Sequence, residues 1–231
     1  MQDSVFLIPH ICAGIIAFLA GMTALFTRKG MRAHRIAGNV FFLSMLVMSS
    51  GGAYMATFVD PVKINVIAGV LTFCLVATGW LTVIRREGTA GRLEYALLVP
   101  TTGVAGACLL LAWEAAASPT GRVAGVPAVG YLIFGSIAIL CAVADIRLLI
   151  NGGIGGSRRI ARHLWRMCLA LSITTLSLFL GTPNKLLVPD AIRLSWLRFV
   201  PLILVLGAFA FWLWRVSRAG RNSTAAAPAA T

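Results

Sequence analysis

The sequence has little charge and few titratable groups for its length. Of its 231 residues, 12% are charged, 7 are acidic and 3 are histidines. A soluble domain carries about 25% charged residues. With 59% hydrophobic residues and a mean hydropathy of +0.89, the chain has too little polar surface to cover a soluble globule. Intrinsic disorder is excluded as well, because a disordered chain needs low hydrophobicity.

Several short motifs that are typical of active sites, metal sites and cofactor attachment are absent. The chain has no CxxC pair, no HExxH and no GxSxG, and its last apolar run has no lysine for a retinal Schiff base. The glycines of segment 152–156 lack the Lys-Ser/Thr ending of a P-loop. We therefore predict no catalytic residues and no metal site. The cysteines all lie in apolar runs and are expected to be small buried packing residues: Cys12, Cys74, Cys108, Cys141 and Cys168.

Seven apolar runs dominate the chain, and each is long enough for a helix that crosses a bilayer core of about 30 Å. Alternation with period two, the mark of a membrane barrel, is absent. The sequence therefore predicts an all-α bundle of seven transmembrane helices in residues 1–215, followed by a disordered tail over 216–231. The runs are about Val5–Leu25, Ile36–Phe58, Ile64–Ile84, Ala96–Ala117, Pro127–Ile150, Leu164–Gly181 and Leu197–Trp214.

The first six helices read as three hairpins, each with a basic connecting loop, and the seventh helix follows them. The loop sequences share a loose pattern, with Gly30 and Gly88 each following basic or acidic residues and preceding an arginine. Two explanations stay open. Either the hairpin is repeated three times, or separate basic loops have converged on the same composition.

The net charge of +13 is distributed very unevenly along the chain. Fifteen of the 20 Lys and Arg residues fall on one side of the predicted bundle, in segments 28–35, 85–92, 147–166 and 215–221. The positive-inside rule places these segments in the cytoplasm, with the N-terminus outside and the C-terminus inside. The charge therefore indicates orientation in a bacterial inner membrane rather than a nucleic-acid partner.

Two polar residues lie near the ends of helices that are predicted to lie outside. His10 shares a helix face with Gly14, Ala17 and Gly21, and small residues let a neighbouring helix approach. His10 is therefore either a ligand or proton-handling group, or an interfacial histidine bonded to a neighbour. Glu114 could reach His10 if their helices adjoin, or it is solvated at the interface.

Asp145 lies more than one turn inside the cytoplasmic end of the fifth run. A carboxylate at that depth needs a partner, and Arg35, Arg162 and Arg166 lie at the same predicted level. Two roles stay open for Asp145, a structural ion pair and a proton relay.

His34 and His163 both lie at cytoplasmic helix starts, at similar predicted depth and on different helices. This is the arrangement that bis-imidazole ligation of a b-type haem requires. The alternative is that both are solvated or face lipid phosphates. His10 has no histidine partner at its own level, so the sequence does not support a second haem.

Two stretches of the chain resemble a family of uncharacterised bacterial inner-membrane proteins, a domain of unknown function. The first stretch contains His10, Gly14, Gly21, Lys29-Gly30, His34-Arg35 and Gly38. The second is Arg159-Ile160-Ala161-Arg162-His163-Leu164-Trp165-Arg166-Met167, preceded by Asp145-Ile146-Arg147. The resemblance implies a multi-pass architecture and highlights these histidines and arginines, and it implies no reaction.

Three functional hypotheses follow. The sequence favours a bundle without catalysis that acts as an accessory protein or handles a small solute through its inward polar residues. The first alternative is a redox protein that holds one b-type haem between His34 and His163. The second is a protein that binds anionic lipid headgroups through its basic cytoplasmic loops, including Arg159, Arg162 and Arg166.

Overall fold

Seven long helices make up most of the chain in a computed structural model that describes residues 2–181 and 189–225. All seven are long and apolar enough to cross a membrane, which confirms the predicted seven-helix membrane bundle. The seven long helices are α1 (Gln2–Phe26), α2 (Arg32–Phe58), α3 (Lys63–Ile84), α4 (Arg92–Ala117), α5 (Ala128–Ile150), α6 (Gly156–Leu180) and α8 (Val200–Ala225). A short helix, α7 (Asp190–Arg193), lies between α6 and α8. A 3-10 helix, Trp196–Phe199, leads directly into α8.

Three of these helices begin four or more residues before their apolar runs do, at Arg32, Arg92 and Gly156. Hydropathy detects only the part of a helix that lies in the apolar core, whereas a basic first turn can be helical outside it. The turns before them contain glycines with φ between +67° and +79°, namely Gly30, Gly88 and Gly152. Because L-residues rarely adopt this conformation, the glycines set where each turn reverses.

The helices do not pack as three equivalent hairpins. Helix α1 packs on α2, α2 on α3, and α4 on α5, whereas α6 packs on α3 and α8. Helices α5 and α6 are consecutive but do not pack along their length. Helix α3 lies at the centre, where Leu71, Leu75 and Val76 are fully buried. Many large apolar side chains on the outer faces are exposed, as a lipid-facing surface requires.

Four of the five cysteines are buried as predicted, but Cys12 is exposed. Cys12 lies two positions after His10, which is about 200° around a helix of 3.6 residues per turn. Because His10 faces α2, Cys12 faces away from the bundle. Its prediction as a buried packing residue is therefore wrong.

The last helix is longer than predicted, because α8 continues to Ala225 instead of giving way to a disordered tail at residue 216. Two arginines of this extension lie over tryptophan rings of the same helix. Arg215 lies 5.5 Å from the Trp212 ring and Arg218 lies 4.2 Å from the Trp214 ring. Such cation–π contacts stabilise the helix beyond the apolar run. Residues 226–231 of the predicted tail lie outside the described residues.

A small β-hairpin, which the pattern of apolar runs does not predict, joins α4 to α5. Strand β1 (Arg122–Val123) pairs antiparallel with strand β2 (Val126–Pro127). The two-residue turn is Ala124-Gly125, with φ of +47° and +77°. Positive φ at both positions is the type I′ geometry that suits hairpins.

Candidate functional site

The polar interior of the bundle centres on one aspartate and two arginines near the basic-loop end. We call Asp145 of α5, Arg162 and Arg166 of α6, and Thr78 and Thr82 of α3 the charged cluster. The arginines are four positions apart on α6, so they lie one turn apart on the same face. The side chains of Asp145, Arg162 and Arg166 are 1%, 6% and 0% exposed.

Both arginines bind the same oxygen of the aspartate. Asp145 Oδ1 accepts from Arg162 Nη2 and, at 2.8 Å, from Arg166 Nη2. These are two of the three partners that the sequence offered for Asp145. The third, Arg35, is exposed and takes no part in the charged cluster.

The other guanidinium nitrogens bind the neighbouring helices. Arg162 Nη1 donates to the Thr78 carbonyl at 2.9 Å and to Thr82 Oγ1. Arg166 donates to Thr78 Oγ1 through Nη1 and to the Cys141 carbonyl through Nη2, at 3.1 Å. Three buried atoms of the charged cluster have no hydrogen-bond partner among the described residues: Asp145 Oδ2, Arg162 Nε and Arg166 Nε.

A third arginine of the same face, Arg159, closes the C-terminal end of α3. It donates to the carbonyls of Thr82, Val83 and Arg85 at 2.7–2.8 Å. The carbonyls at a helix C-terminus lack intrahelical partners and carry partial negative charge, so a guanidinium is well suited to bind them. Arg159, Arg162 and Arg166 therefore bind protein groups, and Arg162 and Arg166 are too deeply buried to meet lipid headgroups.

The loops on either side of the charged cluster interlock. Gly88 N donates to the Ile154 carbonyl at 3.1 Å. Gly153, with φ of +141°, lies so close to Thr89 that a Cβ on Gly153 would overlap the Thr89 backbone. Arg159 also pairs with Glu87 at 3.3 Å, so the α3–α4 and α5–α6 loops form one structure.

Sequence reasoning missed Glu94, which is a buried acid of this region. Glu94 Oε2 accepts from the Gly91 backbone N–H at 3.0 Å, and Oε1 accepts from Arg85 Nε at 2.5 Å. The signal was present, since a glutamate at the third position of a helix commonly binds the backbone at the helix start. Glu94 fixes the start of α4 and neutralises Arg85.

His34 and His163 dock in the same manner on backbone carbonyls of neighbouring helices. His34 Nδ1 donates to the Ala24 carbonyl of α1, and His163 Nδ1 donates to the Gly79 carbonyl of α3, each at 2.9 Å. These bonds place the proton on Nδ1 and leave the Nε2 lone pair available. Neither Nε2 forms a hydrogen bond with any residue that the structure describes.

Lys29 lies beside His34, with which it shares the Ala24 carbonyl, and connects the first loop to the last helix. Its Nζ donates to the Ala24 and Leu25 carbonyls at 2.8 and 2.6 Å. The same ammonium lies 4.5 Å from the centre of the Trp212 ring of α8. Burial of Lys29 lowers its pKa from the ordinary lysine value. Lys29 therefore links the end of α1 to α8.

At the opposite end of the bundle, His10 docks on α2 rather than meeting Glu114. His10 Nδ1 donates to the Met48 carbonyl at 2.8 Å. A Cβ on Gly52 would lie 2.9 Å from His10 Cε1, so the glycine makes room for the ring. Glu114 is exposed at the end of α4, and no hydrogen bond or ion pair joins it to His10 within the described ranges. The sequence placed the two residues at one level but could not place their helices.

Comparison with known proteins gives one family match. No curated protein and no solved structure matches the chain. The match covers only the first stretch of the resemblance described above. The second stretch, residues 159–167, lies outside the matched region, as does Asp145. Residues 7–92, which contain most of α1 and all of α2 and α3 with His10 and His34, match the family model described as "Predicted membrane protein (DUF2306)".

Proposed function

We propose that this multi-pass membrane protein is a non-catalytic bundle that handles a small polar solute at the charged cluster. The observation that carries the proposal is the set of unpartnered buried atoms, Asp145 Oδ2 and the Nε atoms of Arg162 and Arg166. Most buried polar atoms in proteins have a partner, so each exception needs an explanation. A small molecule that donates a hydrogen bond to Asp145 Oδ2, or accepts one from an arginine Nε, would supply the missing partner and so explain these atoms.

Buried hydroxyls of α3 at successive depths support access of a polar solute toward this position. On α3, Thr82, Thr78 and Thr72 are buried, and the Thr72 hydroxyl has no partner in the described part of the chain. From Thr82 to Thr72 the helix rises about 15 Å, half the thickness of a bilayer core. Buried hydroxyls in a membrane also join helices, as Thr78 and Thr82 do here. Thr72 does not, which favours a hydrated position.

The test is solute flux through the purified protein in proteoliposomes. Stopped-flow light scattering would measure uptake of urea, glycerol, ammonium acetate and sodium formate against protein-free liposomes. We expect flux of at least one probe, reduced in both Asp145→Asn and Thr72→Val and unchanged in the exposed-site control Asp60→Asn. Thr72→Val removes an unpartnered hydroxyl without a change of shape, so it should fold normally. Flux equal to that of empty liposomes for every probe would refute the proposal.

A second candidate function is a redox protein with one b-type haem between His34 and His163. The Nε2 atoms of these two residues, which have no hydrogen-bond partner among the described residues, support it, because haem iron binds imidazole through a nitrogen whose ring is oriented by a bond at the other nitrogen. When bound, the haem would supply one-electron chemistry. The chain's own residues would supply two ligands and fix their ring orientation through the Ala24 and Gly79 carbonyls.

An absorption spectrum of protein expressed with sufficient haem tests this candidate. We expect a Soret band that is lost in His34→Ala and in His163→Ala. His10→Ala is a matched control, because His10 makes the same Nδ1–carbonyl bond but has no histidine partner. Absence of a Soret band in the wild-type protein would refute haem binding and leave the solute proposal intact.

We further propose that the protein lies in a bacterial inner membrane with its basic loops in the cytoplasm, where exposed arginines bind anionic lipid headgroups. Exposed side chains available for this include Arg28, Arg32, Arg35 and Arg158. Native mass spectrometry would measure retained phosphatidylglycerol. We expect less of it when these four arginines become glutamine, and equal retention would refute the lipid contact.

A further inference from the structure

A cavity of about 600 Å³ lies at the end of α4, at the opposite end of the bundle from the charged cluster. Its walls are the last turn of α4, the connecting segment after it, and the β-hairpin. The residues that matter for its chemistry are Trp113, Glu114, Arg122 and Ala124. The cavity is open to the surroundings at a level where the spans end and headgroups begin.

The hairpin wall of this cavity is held firmly in place. Fully buried Tyr131 of α5 donates from its hydroxyl to the Val123 carbonyl at 3.0 Å. Arg122 Nη1 donates across the turn to the Gly125 carbonyl at 3.0 Å. Ala124 has a φ of +47°, a conformation that costs a residue with a Cβ about 1–2 kcal/mol. Strain of this kind persists where the surrounding structure fixes the backbone, and it clusters at binding sites.

The cavity combines an aromatic face with one charge of each sign. Trp113 is 78% exposed, and it stacks on no ring within residues 2–181 and 189–225. Glu114 is exposed and has no ion-pair partner in the same part of the chain, and Arg122 is exposed. A tryptophan face next to a carboxylate attracts an ammonium group. A guanidinium attracts a carboxylate or phosphate.

We propose that this cavity binds a small zwitterion, with its ammonium group against Trp113 and Glu114 and its anionic group toward Arg122. Glu114 and Arg122 together carry no net charge, so a ligand with both signs is balanced, whereas a simple cation or anion meets one repulsive charge. Two sources share this chemistry, a free betaine or amino acid and the headgroup of phosphatidylethanolamine. The site is remote from the charged cluster and does not depend on the function proposed for it.

Isothermal titration of the full chain in an uncharged maltoside detergent tests the free ligand. Glycine betaine is the probe, with tetramethylammonium and acetate as single-charge comparisons. We expect betaine to bind more tightly than either. Its affinity should fall about tenfold in Glu114→Gln, in Arg122→Gln and in Trp113→Ala, as expected for one lost charged or cation–π contact. Asp60→Asn and Lys63→Gln are matched controls, since both are exposed at the same end of the bundle and lie outside the cavity.

A second measurement tests the lipid source. Native mass spectrometry of protein extracted from nanodiscs would compare retained phosphatidylethanolamine with retained phosphatidylglycerol. Selective retention of phosphatidylethanolamine that is lost in Glu114→Gln and Arg122→Gln, but kept in the two controls, would identify the headgroup as the ligand. The proposal is overturned if neither ligand binds, or if the cavity variants behave like Asp60→Asn and Lys63→Gln.

Discussion

The guanidinium of Arg166, which is 0% exposed, lies 2.8 Å from the carboxylate of Asp145 and joins two helices that otherwise do not pack along their length. A charge in a membrane interior is costly, so arginines within spans face the bundle and find partners. Here α6 carries its basic face inward onto α3 and α5. The charged cluster is therefore the main connection between the α4–α5 pair and α6.

Neutralising Asp145 should destabilise the protein strongly. Asp145→Asn leaves two buried guanidiniums without a counter-charge, and breaking a buried ion pair from one side costs about 3–5 kcal/mol. We expect a loss of this size in the free energy of unfolding, measured by titration with SDS in mixed micelles. Glu114→Gln, which removes an exposed acid, should change it by less than about 0.5 kcal/mol.

Replacing the whole charged group by apolar residues should cost less than breaking it. In Asp145→Leu with Arg162→Met and Arg166→Met, no buried charge is left unpaired, and such replacements are often neutral or stabilising. We expect this triple variant to unfold at a higher SDS fraction than Asp145→Asn. If the two variants are equally unstable, the hydrogen bonds to α3 contribute more than the charge balance does.

A methyl group at Gly153 should disrupt the interlocked loops. Gly153→Ala combines an unfavourable φ of +141° with overlap against the Thr89 backbone, whereas Gly30 has a φ of +79° and open space around it. We expect a loss of about 3 kcal/mol for Gly153→Ala and about 1 kcal/mol for Gly30→Ala. Unfolding curves in SDS measure both. Equal losses would show that backbone conformation alone, and not the contact with Thr89, sets the cost.

The features of this fold that could be predicted are those that depend on a single helix and not on which helices are its neighbours. Hydropathy found all seven spans, and depth in the membrane showed that Asp145 needs a partner. Depth could not separate Arg162 and Arg166 from Arg35, because that choice depends on which helices adjoin. The same limit left open whether Glu114 reaches His10 or is solvated at the interface.

Contacts between loops also could not be predicted from the sequence. Glu94 could have been read as a helix-start residue, but its bond to Arg85 depends on the path of the α3–α4 loop. The hairpin turn contains Ala124 where asparagine or aspartate would have signalled a type I′ turn. Its strained conformation therefore became visible only in the structure.

Removing the ammonium of Lys29 should loosen α8 from the bundle. Lys29→Met loses the bonds to the Ala24 and Leu25 carbonyls and the contact with the Trp212 ring. We expect a loss of about 1 kcal/mol, typical of one charged hydrogen bond or cation–π contact. Faster amide hydrogen exchange in α8 than in α3 would identify the loosened helix. Lys63→Met is the control, since Lys63 is exposed at the other end of α3.

The orientation predicted from charge can be tested by labelling single cysteines in a chain whose native cysteines are replaced by alanine. Gly30 lies in a basic loop, whereas Thr120 lies between α4 and the hairpin at the opposite end, and both are exposed. Because the positive-inside rule places the basic loops in the cytoplasm, we expect Thr120→Cys to react with a membrane-impermeant maleimide in intact cells. Gly30→Cys should react only after permeabilisation. The reverse pattern would invert the topology and place the Trp113–Arg122 cavity inside the cell.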